Sequence, residues 1–94
     1  MEKPKYEVKF TGQFKRDLKL AKKQGKDVDK LFDVISTIAE GKKLDKKYRD
    51  HNLSGAYAGC RECHVEPDWL LVYEVMDNVL VLMVYRVGTH SDLF

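Results

Sequence analysis

The chain predicts an α+β fold of order β-α-α-β-β-β, in which an antiparallel helix hairpin packs on a small, twisted, mainly antiparallel sheet. Three observations lead there. Tyr6 to Phe10 alternates apolar and charged side chains, the period of a half-buried strand. Two stretches between Thr11 and Gly41 repeat apolar residues at helical spacing. After Ala58 come three runs rich in Val, Leu and Tyr, each closed by a turn signal. Ninety-four residues, 44% hydrophobic and 34% charged, can enclose one core, so residues 1–94 read as a single domain outside the disordered class.

The first strand reads as a sheet edge. Thr11 then offers an N-cap oxygen to a helix whose Phe14, Leu18 and Ala21 share a stripe as far as Gly25. Past the Gly25-Lys26 turn, Asp27 or Asp29 can cap a second helix with a stripe of Leu31, Val34, Ile35 and Ile38, stopped at Gly41. Lys42 to Tyr57 lacks a period and reads as a long polar connection of functional type. Three strands follow: Ala58 to Glu66, stopped by Pro67-Asp68; Trp69 to Val75, stopped by Met76-Asp77-Asn78; and Val79 to Val87, stopped by Gly88. The last is apolar on both faces, which predicts a central strand covered on one side by the helices. Thr89 to Phe94 has room for one helical turn.

Charge divides the chain. Residues 1–49 hold 15 Lys or Arg against 8 Asp or Glu, and residues 50–94 hold 2 against 7, giving +7 followed by −5. A basic half suits a polyanion partner, or is a solvated helix face. Met1 to Lys5 lack the apolar core of a signal peptide, and no apolar run approaches the roughly 18 residues a membrane span needs. These features predict a cytoplasmic protein without a membrane partner. Cys60 and Cys63, three apart, read as reduced thiols.

All three histidines, His51, His64 and His90, lie in the second half beside polar or turn residues. Histidine exchanges protons near neutral pH, and RNA cleavage needs a proton removed from the 2′-hydroxyl and one given to the leaving 5′-oxygen. Zinc or a non-haem metal on the histidines with Asp68 or Asp50 is disfavoured by spacings of 13 and 26 residues, which leave proximity to tertiary folding. Cys60-Arg61-Glu62-Cys63-His64 matches the C-x-x-C-H haem-attachment pattern. Haem is rejected because no export signal precedes it and because, on a strand, Cys60 and His64 face one side and Cys63 the other. Neither metal nor any other cofactor is expected. Trp69 and Tyr73 share a strand face and read as core, whereas Phe94 is the better ring for stacking an RNA base. Arg61 and Arg86 carry planar donors that suit a phosphate gaining charge, or a salt bridge to a neighbouring acid.

Three segments carry a resemblance: Tyr48-Arg49-Asp50-His51-Asn52-Leu53-Ser54-Gly55, Cys60 to Tyr73 around His64-Val65-Glu66-Pro67-Asp68-Trp69, and Arg86-Val87-Gly88-Thr89-His90-Ser91-Asp92-Leu93-Phe94. With a weaker match at Phe14-Lys15-Arg16-Asp17-Leu18, the chain resembles the YafQ family of bacterial toxins in the wider RelE/ParE superfamily. The resemblance implies a RelE-like fold and a type II toxin-antitoxin system. Its toxin enters the ribosomal A site and cuts messenger RNA, and a cognate antitoxin neutralises it. A ribbon-helix-helix antitoxin dimer would give a heterotetramer that binds operator DNA. It also implies functional positions at His51, His64, Asp68, His90 and Phe94. The family's acidic residue two before the second histidine can be aspartate and is Glu62 here.

The chemistry this suggests is metal-independent. A base drawn from His51, His64 or Asp68 takes the 2′-hydroxyl proton, Arg61 and Arg86 stabilise the phosphorane, and His90 protonates the 5′-oxygen, leaving a 2′,3′-cyclic phosphate. Two alternatives have different consequences: a ParE-like inhibitor of DNA gyrase, or a binding module acting only with its antitoxin on DNA. Both dispense with the histidines.

Overall fold

The computed structural model describes residues 4–94. Strand β1 (Glu7–Phe10) leads into helices α1 (Gly12–Lys23) and α2 (Val28–Ala39). Then come β2 (His51–Asn52), β3 (Arg61–Glu66), β4 (Trp69–Met76), β5 (Val81–Gly88) and a terminal turn of helix, α3 (His90–Leu93). The sheet order is β1-β5-β4-β3-β2, with β1 parallel to β5 and every other pairing antiparallel. The predicted α+β class and element order therefore hold.

The helix ends follow the expected chemistry. Phe14 N–H donates to Thr11 Oγ1 at 3.0 Å, and the Thr11 hydroxyl donates onward to the Tyr85 carbonyl at 2.7 Å, tying the start of α1 to β5. Lys30 N–H donates to Asp27 Oδ1 at 3.1 Å, so Asp27 caps α2. Gly41, at φ 78°, ends it in the left-handed region; a Cβ there would lie 2.8 Å from the Lys5 side chain.

Both helices cover one face of the sheet. Phe14 and Ala21 of α1 and Leu31, Val34, Ile35 and Ile38 of α2 meet Cys63, Val65, Trp69, Leu71, Tyr73, Leu82 and Val84 in one core. Trp69 and Tyr73 are core, as their shared strand face predicts. On the opposite face Leu70, Val72 and Cys60 are buried beneath Leu93 of α3, with Leu53, Tyr57 and Tyr85 around them. Cys60 and Cys63 thus lie on opposite faces.

Four expectations are corrected. The central strand is β4, buried from Trp69 to Tyr73, whereas β5 is second from the edge. Val79 and Leu80 lie in the exposed β4–β5 turn, with Leu80 left-handed at φ 52° and its carbonyl accepting from Glu7 N–H at 2.9 Å. An apolar run counted by residue type cannot tell a turn from a strand. The Lys42 to Tyr57 connection also contains β2, a two-residue strand too short to show a period. β3 begins at Arg61, since a 3-10 turn at Gly55–Tyr57 and left-handed Gly59 occupy the preceding residues.

Candidate active site

Register places the site. Glu62 pairs with Val72 and His64 with Leu70, and residues opposite each other in an antiparallel ladder share a face. Glu62 and His64 therefore project on the face away from α1 and α2. His51 sits opposite Glu62 on β2. Across β4, Leu70 faces Gly88, so His64, Leu70 and Gly88 form one row at one end of the sheet. The Pro67-Asp68 turn and α3 flank that same end. Gly88 allows α3 to fold back closely, because a Cβ there would lie 3.1 Å from Asp92 Cβ and 3.3 Å from Leu93 Cδ2.

Helix α3 is fixed by a capping box: Asp92 N–H donates to Thr89 Oγ1, and Thr89 N–H to Asp92 Oδ2, both at 3.2 Å. His90 is thereby held against the β3–β4 turn. Its backbone N–H donates to Asp68 Oδ1 at 3.0 Å, and its ring Nδ1–H donates to the same oxygen at 2.7 Å. These two bonds, backbone first, lower the Asp68 pKa below its usual carboxylate value. The ring leaves Nε2 free.

The other two histidines share a carboxylate. Glu62 Oε1 lies 3.6 Å from Nε2 of His51 and 3.6 Å from Nε2 of His64. Glu62 is only 5% exposed and His64 only 9%, whereas His51 is open to solvent. His51 Nδ1 lies 2.8 Å from the Arg49 carbonyl and His64 Nδ1 3.2 Å from the Pro67 carbonyl. A carbonyl only accepts, so in a neutral ring the proton sits on Nδ1 and Nε2 is the exchanging nitrogen. The His64 ring centroid lies 6.2 Å from that of His51 and 5.7 Å from that of His90. Three imidazoles thus present Nε2 beside two carboxylates.

The fold brings His51, His64, Asp68 and His90 together, and adds Glu62. Phe94 follows α3, 61% exposed, its ring edge-on to Tyr57 with centroids 5.7 Å apart. Arg86 pairs with Val72 on the site face, where the shifted register between Val72 and Tyr73 turns Tyr85 to the same side. Its guanidinium donates to Asp17 of α1 at 3.0 and 3.1 Å, which raises its pKa. The Val72 row sets Arg86 about two strand spacings, roughly 10 Å, from Glu62.

Arg61 is not brought to the histidines. It pairs with Tyr73 on the helix face of the sheet, and its Nε and Nη2 donate to Asp50 at 2.8 to 3.3 Å while Nη1 donates to Asn52 at 2.6 Å. The Tyr73 hydroxyl donates to the same Asp50 carboxylate. A strand period separates Arg61 from Glu62 and His64, and that signal was available in the sequence. The Asp50, Arg61 and Tyr73 network was not foreseeable, since it joins residues up to 23 apart.

One Nε2 each from His51 and His64 and one Glu62 oxygen all lie within 4.8 Å of one another, a donor set with the chemistry to hold a divalent transition metal. Tertiary folding supplies the proximity that histidine spacing does not.

A small α+β domain with three histidines and two carboxylates at one end of its sheet defines a class, that of proteins equipped for general acid–base chemistry on an exposed substrate. The comparisons narrow it. Residues 6–94 match the family model described as "Bacterial toxin of type II toxin-antitoxin system, YafQ", and the chain belongs to that family. It is 39% identical over 89 residues to the mRNA interferase toxin YafQ of Escherichia coli K12, covering 94% of this chain and 95% of that one. The fold matches the E. coli DinJ-YafQ toxin-antitoxin complex at TM-score 0.87 and 38% identity, covering 96% of this chain and 98% of that one. It matches a metal-bound toxin from Helicobacter pylori at TM-score 0.89 and 38% identity, covering 95% of this chain and 99% of that one.

Proposed function

We propose that this toxin is an mRNA interferase, a metal-independent endoribonuclease that cuts messenger RNA in the ribosomal A site by attack of the 2′-oxygen on the adjacent phosphorus. The observation that carries the reading is the grouping of three histidines, His51, His64 and His90, each ring contacted through Nδ1, with Nε2 of His51 and His64 beside Glu62.

Nε2 of His51 or His64 takes the 2′-hydroxyl proton, and the Glu62 carboxylate between them stabilises the imidazolium that results. The 2′-oxygen forms a bond to phosphorus as the bond to the 5′-oxygen breaks. His90, protonated and held by Asp68, delivers its Nε2 proton to that departing oxygen. The products are a 2′,3′-cyclic phosphate and a 5′-hydroxyl. Arg86, fixed by Asp17, supplies positive charge on the site face as the phosphorane forms. The exposed Phe94 ring stacks on a base and sets the RNA in line. Arg61 acts in the fold, holding the Asp50 loop that ends in His51.

The lysine-rich helix α1 suits contact with ribosomal RNA, where each cation positions without reading sequence. The DinJ-YafQ complex supports a cognate antitoxin as the partner in the resting cell. A ribbon-helix-helix dimer binding two toxins and operator DNA is the form we infer. Among the described residues no helix is long and apolar enough to cross a membrane, and this mechanism places the toxin with ribosomes in the cytoplasm.

The experiment is cleavage of a defined messenger RNA, with and without ribosomes, in EDTA, by the unmodified chain and by the His51, His64 and His90 triple-alanine variant. Cleavage that needs ribosomes, survives EDTA and vanishes in the variant is expected. Loss of cleavage in EDTA with recovery on adding a transition metal would instead assign the His51, Glu62 and His64 set a catalytic ion.

A further inference from the structure

Beside His64 lies a cleft of about 210 Å³ bounded by the start of α2, the 3-10 turn Lys46–Tyr48 and the β3–β4 turn. His64 forms part of its wall, so the cleft and the proton-exchanging site share that residue. Three cations line it: Lys30 from α2, Lys47 from the 3-10 turn, and Arg49 just after it. Among the described residues no carboxylate pairs with any of them, in contrast to Arg61 and Arg86, which both have acids. Glu66 is the single acid on the lining, against three positive charges. Tyr48 and Pro67 add an apolar ring and edge.

The backbone at Arg49 is a second observation. Arg49 is left-handed at φ 51°, a conformation unfavourable for a residue that carries a side chain. Its carbonyl contacts Nδ1 of His51. The same residue whose carbonyl contacts a histidine ring of the site also lines the neighbouring cleft. Cations without an acid partner, an aromatic ring with Lys47 Nζ 5.2 Å from its centroid, and a wall shared with the site suit a nucleotide in an RNA chain, whose phosphate needs paired donors and whose base can stack on a ring.

We infer that the cleft of Lys30, Lys47 and Arg49 is a nucleotide subsite that binds an RNA backbone phosphate flanking the scissile one, with the adjoining nucleoside against Tyr48 and Pro67. This rests on the nuclease reading above. Its effect is to set the register of the RNA along the histidines: one phosphate held by Arg49 places the next within reach of His64 and His90.

The test is ribosome-programmed cleavage of a messenger RNA in which one linkage flanking the cut is a neutral methylphosphonate, placed on the 5′ side in one substrate and on the 3′ side in another. The unmodified chain and the variant with Lys30→Gln, Lys47→Gln and Arg49→Gln are compared, with circular dichroism melting as the folding control. For one of the two substrates, the unmodified chain should show KM raised roughly tenfold, the loss of about 1.4 kcal/mol of phosphate binding. The variant should show the same rise on the natural RNA and no further rise on that methylphosphonate substrate. Effects of variant and methylphosphonate that multiply on both substrates, or a variant with unchanged KM, would overturn the subsite while leaving the nuclease reading intact. No cleavage of natural messenger RNA by the unmodified chain would remove both.

Discussion

Asp68 holds His90 through one oxygen, which receives the backbone N–H at 3.0 Å and the ring Nδ1–H at 2.7 Å. Position and tautomer of the ring are therefore fixed together. Replacing Asp68 by Asn should lower kcat by roughly 10²–10⁴-fold with little change in KM, because the amide is a weaker acceptor that permits the other tautomer. Single-turnover cleavage measures this, and a variant within twofold of the unmodified rate would remove Asp68 from the mechanism.

The same contact makes a pH prediction. The bonds from His90 favour ionised Asp68, lowering its pKa from the ordinary 3.8. The stabilisation they give is complete above that ordinary value and is lost as pH falls through the lower value of the folded state. Carboxyl carbon shifts should place the Asp68 midpoint below 3.8 in the unmodified chain and nearer to it in His90→Ala.

Glu62 is a buried carboxylate placed for chemistry more than for stability. Glu62→Gln should reduce cleavage at least tenfold while leaving stability unchanged or higher by about 1 kcal/mol, since a buried charge is costly to desolvate. Denaturant titration beside an activity assay decides it; a loss of stability above about 2 kcal/mol would make Glu62 a structural residue.

Asp17 of α1 accepts from the Arg86 guanidinium and also from Val87 N–H at 3.2 Å. Asp17→Ala should destabilise the fold by about 1.5–3 kcal/mol, the range for a charged hydrogen-bond partner. It should also lower kcat, because Arg86 loses its fixed direction. An unfolding curve identical to that of the unmodified chain would contradict this role.

Burial pushes the thiols of Cys60 and Cys63 up, and Cys63 is fully enclosed in the core. At pH 8 a thiol reagent should leave Cys63 unmodified in the native chain and modify both after unfolding. Rapid native labelling of Cys63 would show that the core opens there.

Local signals were legible in the sequence. Thr11 and Asp27 cap the helices they precede, and the alternation that separates Cys60 from Cys63 holds in space. The capping box of Thr89 and Asp92 has the spacing that sequence can show, and it defines α3. The strand order was not legible in the same way, because β5 and β4 are both apolar and only burial reveals that β4 is central. Within the site, His51, His64, Asp68 and His90 stand out as residue types at polar positions, and they do converge. The partners of the two arginines depend on pairings as distant as Arg86 with Asp17, 69 residues apart. No local pattern encodes such a pairing.

The parallel pairing of β1 with β5 joins Glu7 to Val81, and His90 follows β5. During translation the edge strand waits for its neighbour until nearly the whole described chain has been made, and the last imidazole comes later still. An incomplete chain attached to its own ribosome therefore carries at most a fragment of the site.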